Sequence, residues 1–116
     1  MTKLANIDSA FIDRRKIAGY LLDVRHPDGG PKAVFLMRFG FNPDNVDVLI
    51  AAILAHARSN DVAAEQPGEY GTRYLVDGPI DTPDGRNPKL RAVWIVRTGE
   101  AAPRFVTAMP SKGESR

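Results

Sequence analysis

The hydrophobic periodicity of this chain changes from helical to strand-like near Asn60, and that change restricts the fold more than any other feature. Before Asn60, apolar residues recur every three or four positions, as on one face of an α-helix. After it, apolar and polar residues alternate, as in a strand with one buried face. Helices that precede all strands favour an α+β domain in which a helical layer packs on an antiparallel sheet.

Three helices are predicted before this change, over residues of about 14–22, 31–39 and 43–59. Asp13 and Asn42 are good N-caps for the first and third helices, and Pro31 and Pro43 suit the first positions of the second and third. The third helix has the most regular apolar stripe. Residues 4–12 are expected to form an extended arm or an edge strand.

Four strands are predicted after the change, over residues 62–66, 71–80, 90–97 and 104–109. In the third strand, Trp94 lies on the face that should contact the core, and Arg91 lies on the other face. Short connections between the strands favour an antiparallel meander. We therefore expect a single α+β domain over residues 1–110 and a flexible C-terminal tail at 111–116.

The composition excludes several classes of site. The 116 residues contain no cysteine, which excludes disulfides, thiolate metal sites and a cysteine nucleophile. The two histidines, His26 and His56, are too far apart in sequence to indicate a metal site, so we expect no metal and no cofactor. Without a long apolar run or a signal-peptide pattern, the expected location is the cytoplasm, with no membrane contact.

The positive charge is unevenly distributed. From Arg86 to Arg104 the chain carries five basic residues and one acid, Glu100, although its net charge is only +2. One side of the predicted sheet is therefore expected to be locally positive, which would suit an anionic ligand. The alternative is a solvated strand pair with charges on its edges.

The segment 26–32 (HPDGGPK) is the most informative local feature. Gly29 and Gly30 precede a helix start, so unpaired backbone N–H groups can converge there on an anion. Lys32 lies in the first turn, where a bound anion would offset its unfavourable charge, and His26 can exchange a proton near neutral pH. The segment therefore predicts a phosphate cradle, and the alternative is an ordinary connection between two helices.

Polar residues in the strands are the next candidates. Arg91 lies mid-strand on a face that is otherwise apolar, so it must be paired or lie at the rim of a site. The alternative is an internal ion pair, for instance with Asp77 or Asp61, and Arg73 has the same two interpretations. Thr107 in the last strand could present a hydroxyl on the sheet.

Two further residues are expected to be structural. Trp94 is expected in the core, with base stacking as the alternative. His56 is expected to be solvated on the polar side of the third helix.

The run from Leu4 to Ala33 (LANIDSAFIDRRKIAGYLLDVRHPDGGPKA) resembles a family of short, uncharacterised bacterial proteins. Their N-terminal pattern is L-P-N-A-x-x-A-F-[IV]-D-x-x-K-[LI] followed by Y-x-L-N-P-x-H-P-x-G-x-x-K-A. The C-terminal pattern of Y-G-x-x-Y, V-R-x-x-W-I-[IV]-x-x-G and P-R-L-x-T appears here around Tyr74, Trp94 and Thr107. Two departures stand out, because Asp23-Val24 replaces the usual N-P and Met109 replaces the tyrosine of a final T-[AC]-Y.

The resemblance implies a fold and an activity. Similar domains recur at the C-termini of contact-dependent and phage-borne toxins, and they are grouped with the barnase, EndoU, colicin and RelE-like (BECR) ribonucleases. The resemblance therefore implies three N-terminal helices on a four-stranded antiparallel sheet, RNA as substrate, and a small cognate antitoxin protein as partner. The matching polar residues are His26, Lys32, Arg91 and Thr107 as catalytic candidates, followed by Arg73 and Tyr74 as substrate-binding candidates together with Gly29 and Gly30.

The implied reaction is metal-independent transesterification of RNA, with tRNA as a candidate substrate, in which the 2′-OH attacks the adjacent phosphorus. His26 would be the general acid or base, Lys32 and Arg91 would stabilise the phosphorane, and Thr107 would orient an oxygen. One alternative is a non-catalytic RNA- or protein-binding module on the same scaffold, which the missing tyrosine favours. Another is an immunity protein, although such proteins are more often acidic and this chain is slightly basic.

Overall fold

The computed structural model describes residues 2–111, so all of the predicted tail except Ser111 lies outside the described residues. Three helical segments precede four strands, as the periodicity predicted, and the α+β prediction is confirmed. The helical segments are α1 (Arg14–Lys16, continuing as a π-helical turn over Ile17–Leu21), α2 (Gly30–Arg38) and α3 (Val46–Ser59). The strands are β1 (Val62–Gly68), β2 (Gly71–Pro79), β3 (Lys89–Arg97) and β4 (Arg104–Pro110).

The strands form one antiparallel meander in the order β1-β2-β3-β4. In β4 the register shifts by one residue, because Val93 pairs with Thr107 whereas Trp94 pairs with Phe105. Val106 is therefore the extra residue of a β-bulge, a device that re-aims neighbouring side chains. Bulged strands often adjoin functional sites, and this bulge lies beside Thr107.

The predicted N-terminal arm is only partly extended. A single 3₁₀ turn occupies Ile7–Ser9, and then Phe11 forms one parallel bridge with Arg104. In that bridge the Phe11 N–H donates to Pro103 O, and the Phe105 N–H donates to Phe11 O. The arm thus covers the outer edge of β4 at its start and limits further strand pairing there.

The core lies between the helices and one face of the sheet. Trp94 is fully buried there, as predicted, with Ile17, Leu49 and Ile53 from the helices. The pleat places alternate residues on the other face, here called the open face and defined by Arg73, Asp77, Arg91, Ile95 and Thr107. The described helices include none that is long and apolar enough to cross a membrane.

Two predictions about the third helix are wrong. The helix begins at Val46 rather than Pro43, because the Asn42 side chain accepts the Asp44 N–H at 2.8 Å and forms a separate turn. His56 is only 2% exposed, and its Nε2 lies 3.1 Å from Gly78 O and 3.0 Å from Leu90 O. It links the helix to β2 and β3 instead of facing water.

Candidate functional site

Three polar side chains from separate elements meet at the β4 edge of the sheet. The Lys32 ammonium donates to the Tyr20 hydroxyl at 2.5 Å and to the Thr107 hydroxyl at 3.0 Å. The two hydroxyl oxygens lie 3.2 Å apart, which closes a triangle of hydrogen bonds. All three side chains are half-buried, so the cluster is in contact with solvent and accessible to a ligand.

Local backbone packing positions Lys32 and Tyr20. Lys32 lies in the first turn of α2, and Tyr20 lies in the π-helical turn that follows α1. Gly29 packs directly on this turn, because a Cβ at Gly29 would lie 2.2 Å from Tyr20 O. Only glycine permits this approach, so the helix start and the tyrosine are held together.

The backbone cradle predicted at the two glycines is not formed. The Gly29 N–H donates to His26 Nδ1 at 2.9 Å, and the Gly30 N–H donates to His26 O at 2.8 Å. Both donors are therefore used inside the loop, and the prediction of unpaired N–H groups there is wrong. Gly30, like Gly29, serves close packing, since its Cβ would lie 2.6 Å from Val24 O.

His26 is fixed beside Tyr20. Its Nδ1 also accepts the Asp28 N–H at 3.0 Å, and its ring packs edge-on against the Tyr20 ring, with 5.0 Å between the centroids. Because Nδ1 accepts two backbone N–H groups, the proton of the neutral ring belongs on Nε2. Nε2–H is therefore the ring group that can donate a hydrogen bond to a ligand.

An open cleft of about 740 Å³ surrounds the cluster. It is lined by Asp13, Arg15, Lys16, Tyr20, Asp28, Lys32, Val106 and Thr107. The three cations outnumber the two carboxylates, and hydrogen bonds from Arg15 hold the pKa of Asp13 below its ordinary value. The cleft is thus a polar, slightly cationic site of a size suited to a small ligand group.

Arg91 lies on the open face with Thr107. Arg91 pairs with Met109 and Thr107 pairs with Val93, so the two residues are diagonal neighbours, with Cα atoms about 7–8 Å apart. The Arg91 guanidinium donates to both Asp77 oxygens, at 2.8 and 2.7 Å, and this pair raises the pKa of Arg91. The predicted alternative, an ion pair with Asp77 inside the same chain, is therefore confirmed. Both side chains are partly exposed at the surface of the sheet.

The other two strand candidates lie on opposite faces. Arg73 pairs with Ile95 on the open face and is exposed. Tyr74 pairs with Trp94 and packs against the core. The structure therefore places Tyr74 on the face opposite to Arg73, Arg91 and Thr107, although β2, β3 and β4 are neighbouring strands.

Sequence reasoning missed Tyr20, Lys16 and Asp28. The Tyr20 hydroxyl also donates to Asp28 at 3.0 Å, and Lys16 donates to Val106 O at 3.0 Å at the bulge. The signal for Tyr20 was its place at the start of the Y-x-L motif, in the run that resembles the bacterial family.

Metal ligands do not converge in the described part of the chain. Over residues 2–111, no group of three or more His, Asp or Glu side chains is placed to hold a metal ion.

Comparisons with known proteins give a matching family model and a solved structure with a similar fold. The family model described as a domain of unknown function (DUF6883) matches residues 3–112. A comparison with curated protein sequences gives no match. Among solved structures, the fold is similar to one chain of a contact-dependent growth inhibition toxin–immunity protein complex from Klebsiella pneumoniae 342. That likeness has a TM-score of 0.67 at 17% identity, and it covers 86% of this chain and 98% of the other.

Proposed function

This chain belongs to the DUF6883 family, and from its site we propose that it is a metal-independent endoribonuclease of toxin type that cleaves RNA, with tRNA as the first candidate. The observation that carries the proposal is the triangle of Lys32, Tyr20 and Thr107 at the edge of the open face. A cation and two hydroxyls at this spacing are suited to three oxygens of one phosphate.

The proposed reaction is transesterification. A base removes the 2′-OH proton, the 2′ oxygen attacks the adjacent phosphorus, and the 5′ oxygen leaves with a proton. The products are a 2′,3′-cyclic phosphate and a 5′-OH end. Lys32 and Thr107 would hold the non-bridging oxygens, because charge develops on them in the transition state. His26 is the proposed general acid or base, and this role requires its Nδ1 to release the Asp28 and Gly29 N–H groups when substrate binds. While Nδ1 accepts both groups, the ring can donate a hydrogen bond from Nε2–H but cannot take up a proton.

The remaining polar groups have supporting roles in this proposal. Tyr20 positions Lys32 and links it to Asp28 through its hydroxyl. Arg91 and Arg73 would bind flanking phosphates on the open face. Because Asp77 partly neutralises the Arg91 guanidinium, we place Arg91 at a flanking phosphate and not at the reacting one. Gly29 and Gly30 act through packing rather than by touching the substrate.

The toxin assignment is supported by the similarity to a chain of a toxin–immunity complex. A toxic ribonuclease requires an inhibitor in the cell that makes it, so the proposal includes a small cognate antitoxin or immunity protein as partner. The proposed place of action is the cytoplasm, where the RNA substrate is found.

One observation favours a second candidate, a non-catalytic RNA- or protein-binding module. Both Nδ1 of His26 and the guanidinium of Arg91 are engaged within the chain, which leaves few groups for proton transfer. In this candidate the Lys32 cluster is a phosphate-binding site without turnover.

Incubation of the purified protein with total tRNA in EDTA separates the two candidates. We expect discrete fragments that end in cyclic phosphate, together with their absence in Lys32→Met and His26→Ala. Phosphate-specific end labelling would identify the termini. Binding of tRNA without any fragment at high protein concentration would contradict the ribonuclease and support the binding module.

A further inference from the structure

The tip of the β1–β2 hairpin presents an aromatic ring to solvent. Tyr70 is 76% exposed, the largest exposure among the large hydrophobic residues that the structure describes. A single exposed ring is ordinary on a protein surface. This ring differs because its backbone is held in place and two arginines, Arg73 and Arg97, line the same cleft.

The hairpin tip is anchored to the neighbouring strand. The Thr98 N–H donates to Tyr70 O at 3.1 Å. Gly71 packs so closely on β3 that a Cβ there would lie 2.3 Å from Val96 O, and its φ of 150° also favours glycine. The ring is therefore carried on a fixed turn, and a ligand that stacks on it pays little ordering entropy in the backbone.

Two arginines without acidic partners flank this tip. Arg73 lies opposite Ile95 and Arg97 lies opposite Gly71, both on the open face. Within residues 2–111 neither forms an ion pair, whereas Arg91 and Arg104 are paired with Asp77 and Glu100. Cations left unpaired on an exposed sheet are available to an anionic ligand.

A second cleft joins these residues to the Lys32 site. Its volume is about 670 Å³, and it is lined by Glu69, Tyr70, Arg73, Ile95, Arg97, Thr98, Glu100 and Val106. Val106, the bulge residue, also lines the Lys32 cleft, so the two clefts adjoin. Of the two acids, Glu100 is paired with Arg104, so the unpaired cations outnumber the unpaired acid.

We infer that this cleft is a subsite for one unpaired nucleotide of single-stranded RNA, next to the phosphate held by Lys32. The base stacks on Tyr70, and the flanking phosphates contact Arg73 and Arg97. The strand must be single because a base inside a duplex has no free face for stacking. This inference rests on the proposed function and adds a specificity for unpaired RNA to it.

The test is binding of a fluorescent single-stranded RNA whose 2′ positions are O-methylated, since such RNA lacks the attacking hydroxyl and is not cleaved. We expect Tyr70→Ala to weaken binding about 5- to 150-fold, the range that corresponds to the stacking of one base. Tyr70→Phe keeps the ring and should bind within about 2-fold of wild type. Arg73→Gln and Arg97→Gln should each lower the salt dependence by about 0.7 in log–log slope. Arg25→Gln is the matched control, because Arg25 is exposed and lies in a cleft of the helical layer.

The outcomes separate this inference from the proposed function. If wild type binds and cleaves RNA but Tyr70→Ala binds equally well, the subsite is overturned and the ribonuclease stands; a protein contact then becomes the next explanation for the exposed ring. If Tyr70→Ala weakens a duplex as much as a single strand, the specificity for unpaired RNA is overturned. If wild type binds no RNA, both proposals fail together.

Discussion

The Lys32 ammonium lies 3.0 Å from the Thr107 hydroxyl, although 75 residues separate them along the chain. This contact joins the first turn of α2 to the edge strand of the sheet, and Tyr20 completes it from a third element. A site assembled from three elements requires the whole domain to be folded. Its chemistry can therefore be tested only with variants that keep the fold.

Lys32→Met should abolish most of the proposed cleavage while leaving the fold intact. The variant removes the cation that we propose binds the reacting phosphate, so we expect the rate to fall about 10²- to 10³-fold. Lys3→Met is the matched control, because Lys3 forms an exposed ion pair with Asp61 beside β1, at the far edge of the sheet. Rates measured on a short fluorogenic RNA should be unchanged in the control. Equal rates in Lys32→Met and wild type would remove Lys32 from the mechanism.

Tyr20→Phe should slow cleavage without moving its pH profile. The hydroxyl orients Lys32 and Thr107, so its loss misplaces the cation and should reduce the rate by about 10²-fold. The lost hydrogen bonds should also reduce the free energy of unfolding by about 1 kcal/mol. A pH–rate profile of unchanged shape distinguishes this positioning role. A profile that lost one limb would instead make Tyr20 the proton-transfer group.

The ion pair between Asp77 and Arg91 should oppose RNA binding. Asp77→Asn keeps the side-chain shape but releases the Arg91 guanidinium, so RNA affinity at low salt should increase. Arg91→Gln should weaken binding and lower the slope of log affinity against log salt by about 0.7. Titrations of one RNA at several salt concentrations measure both effects. The prediction requires RNA affinity to rise in Asp77→Asn and to fall in Arg91→Gln. Weaker RNA binding in both variants would mean that the ion pair stabilises the sheet instead.

Gly29→Ala should destabilise the domain and displace Tyr20. The new Cβ would lie 2.2 Å from Tyr20 O, so the π-helical turn or the start of α2 must shift. We expect a loss of about 1–3 kcal/mol in unfolding free energy, and reduced cleavage because the cluster is misaligned. Gly19→Ala is the matched control, since nothing lies within 4 Å of its Cβ and the residue is exposed. Chemical denaturation of the two variants compares them directly, and equal stability would contradict the close packing at Gly29.

The sheet could be predicted in detail because its signals are local. Alternation along β3 placed Trp94 in the core and Arg91 on the other face, and both placements are confirmed. The start of α3 was less predictable, because Asn42 can cap a helix or close a turn of its own, and here it closes a turn. The same residue type satisfies both patterns, so only the packed structure decides between them.

The site could be predicted only in part because its contacts are not local. Lys32 and Thr107 were candidates, but no pattern in the sequence indicates that they touch. Tyr20 lies in a helical turn, where an aromatic residue indicates core packing rather than chemistry. The glycines were assigned to anion binding because glycine permits both exposed N–H groups and close packing, and here the packing function applies.

His56 should make the domain sensitive to mild acid. Burial is the main cause that lowers the pKa of His56 below its ordinary value of 6.5, and its Nδ1 has no partner among the described residues. The folded state therefore resists protonation, whereas the unfolded chain takes up a proton near pH 6.5. Stability is full above pH 6.5 and falls as the pH drops below it, by at most about 1.4 kcal/mol per pH unit, until the folded pKa is reached.

Urea unfolding between pH 7.5 and pH 5 checks this dependence on His56. His56→Gln keeps an N–H donor for Gly78 O and Leu90 O but cannot take up a proton, so it should lose stability at pH 7.5 and show a flatter profile below pH 6.5. Asp13 and Asp84, whose pKa values are lowered by hydrogen bonds from Arg15 and Arg86, act in a separate window below about pH 4. If the slope between pH 6.5 and pH 5 persisted in His56→Gln, the acid sensitivity would belong to another group.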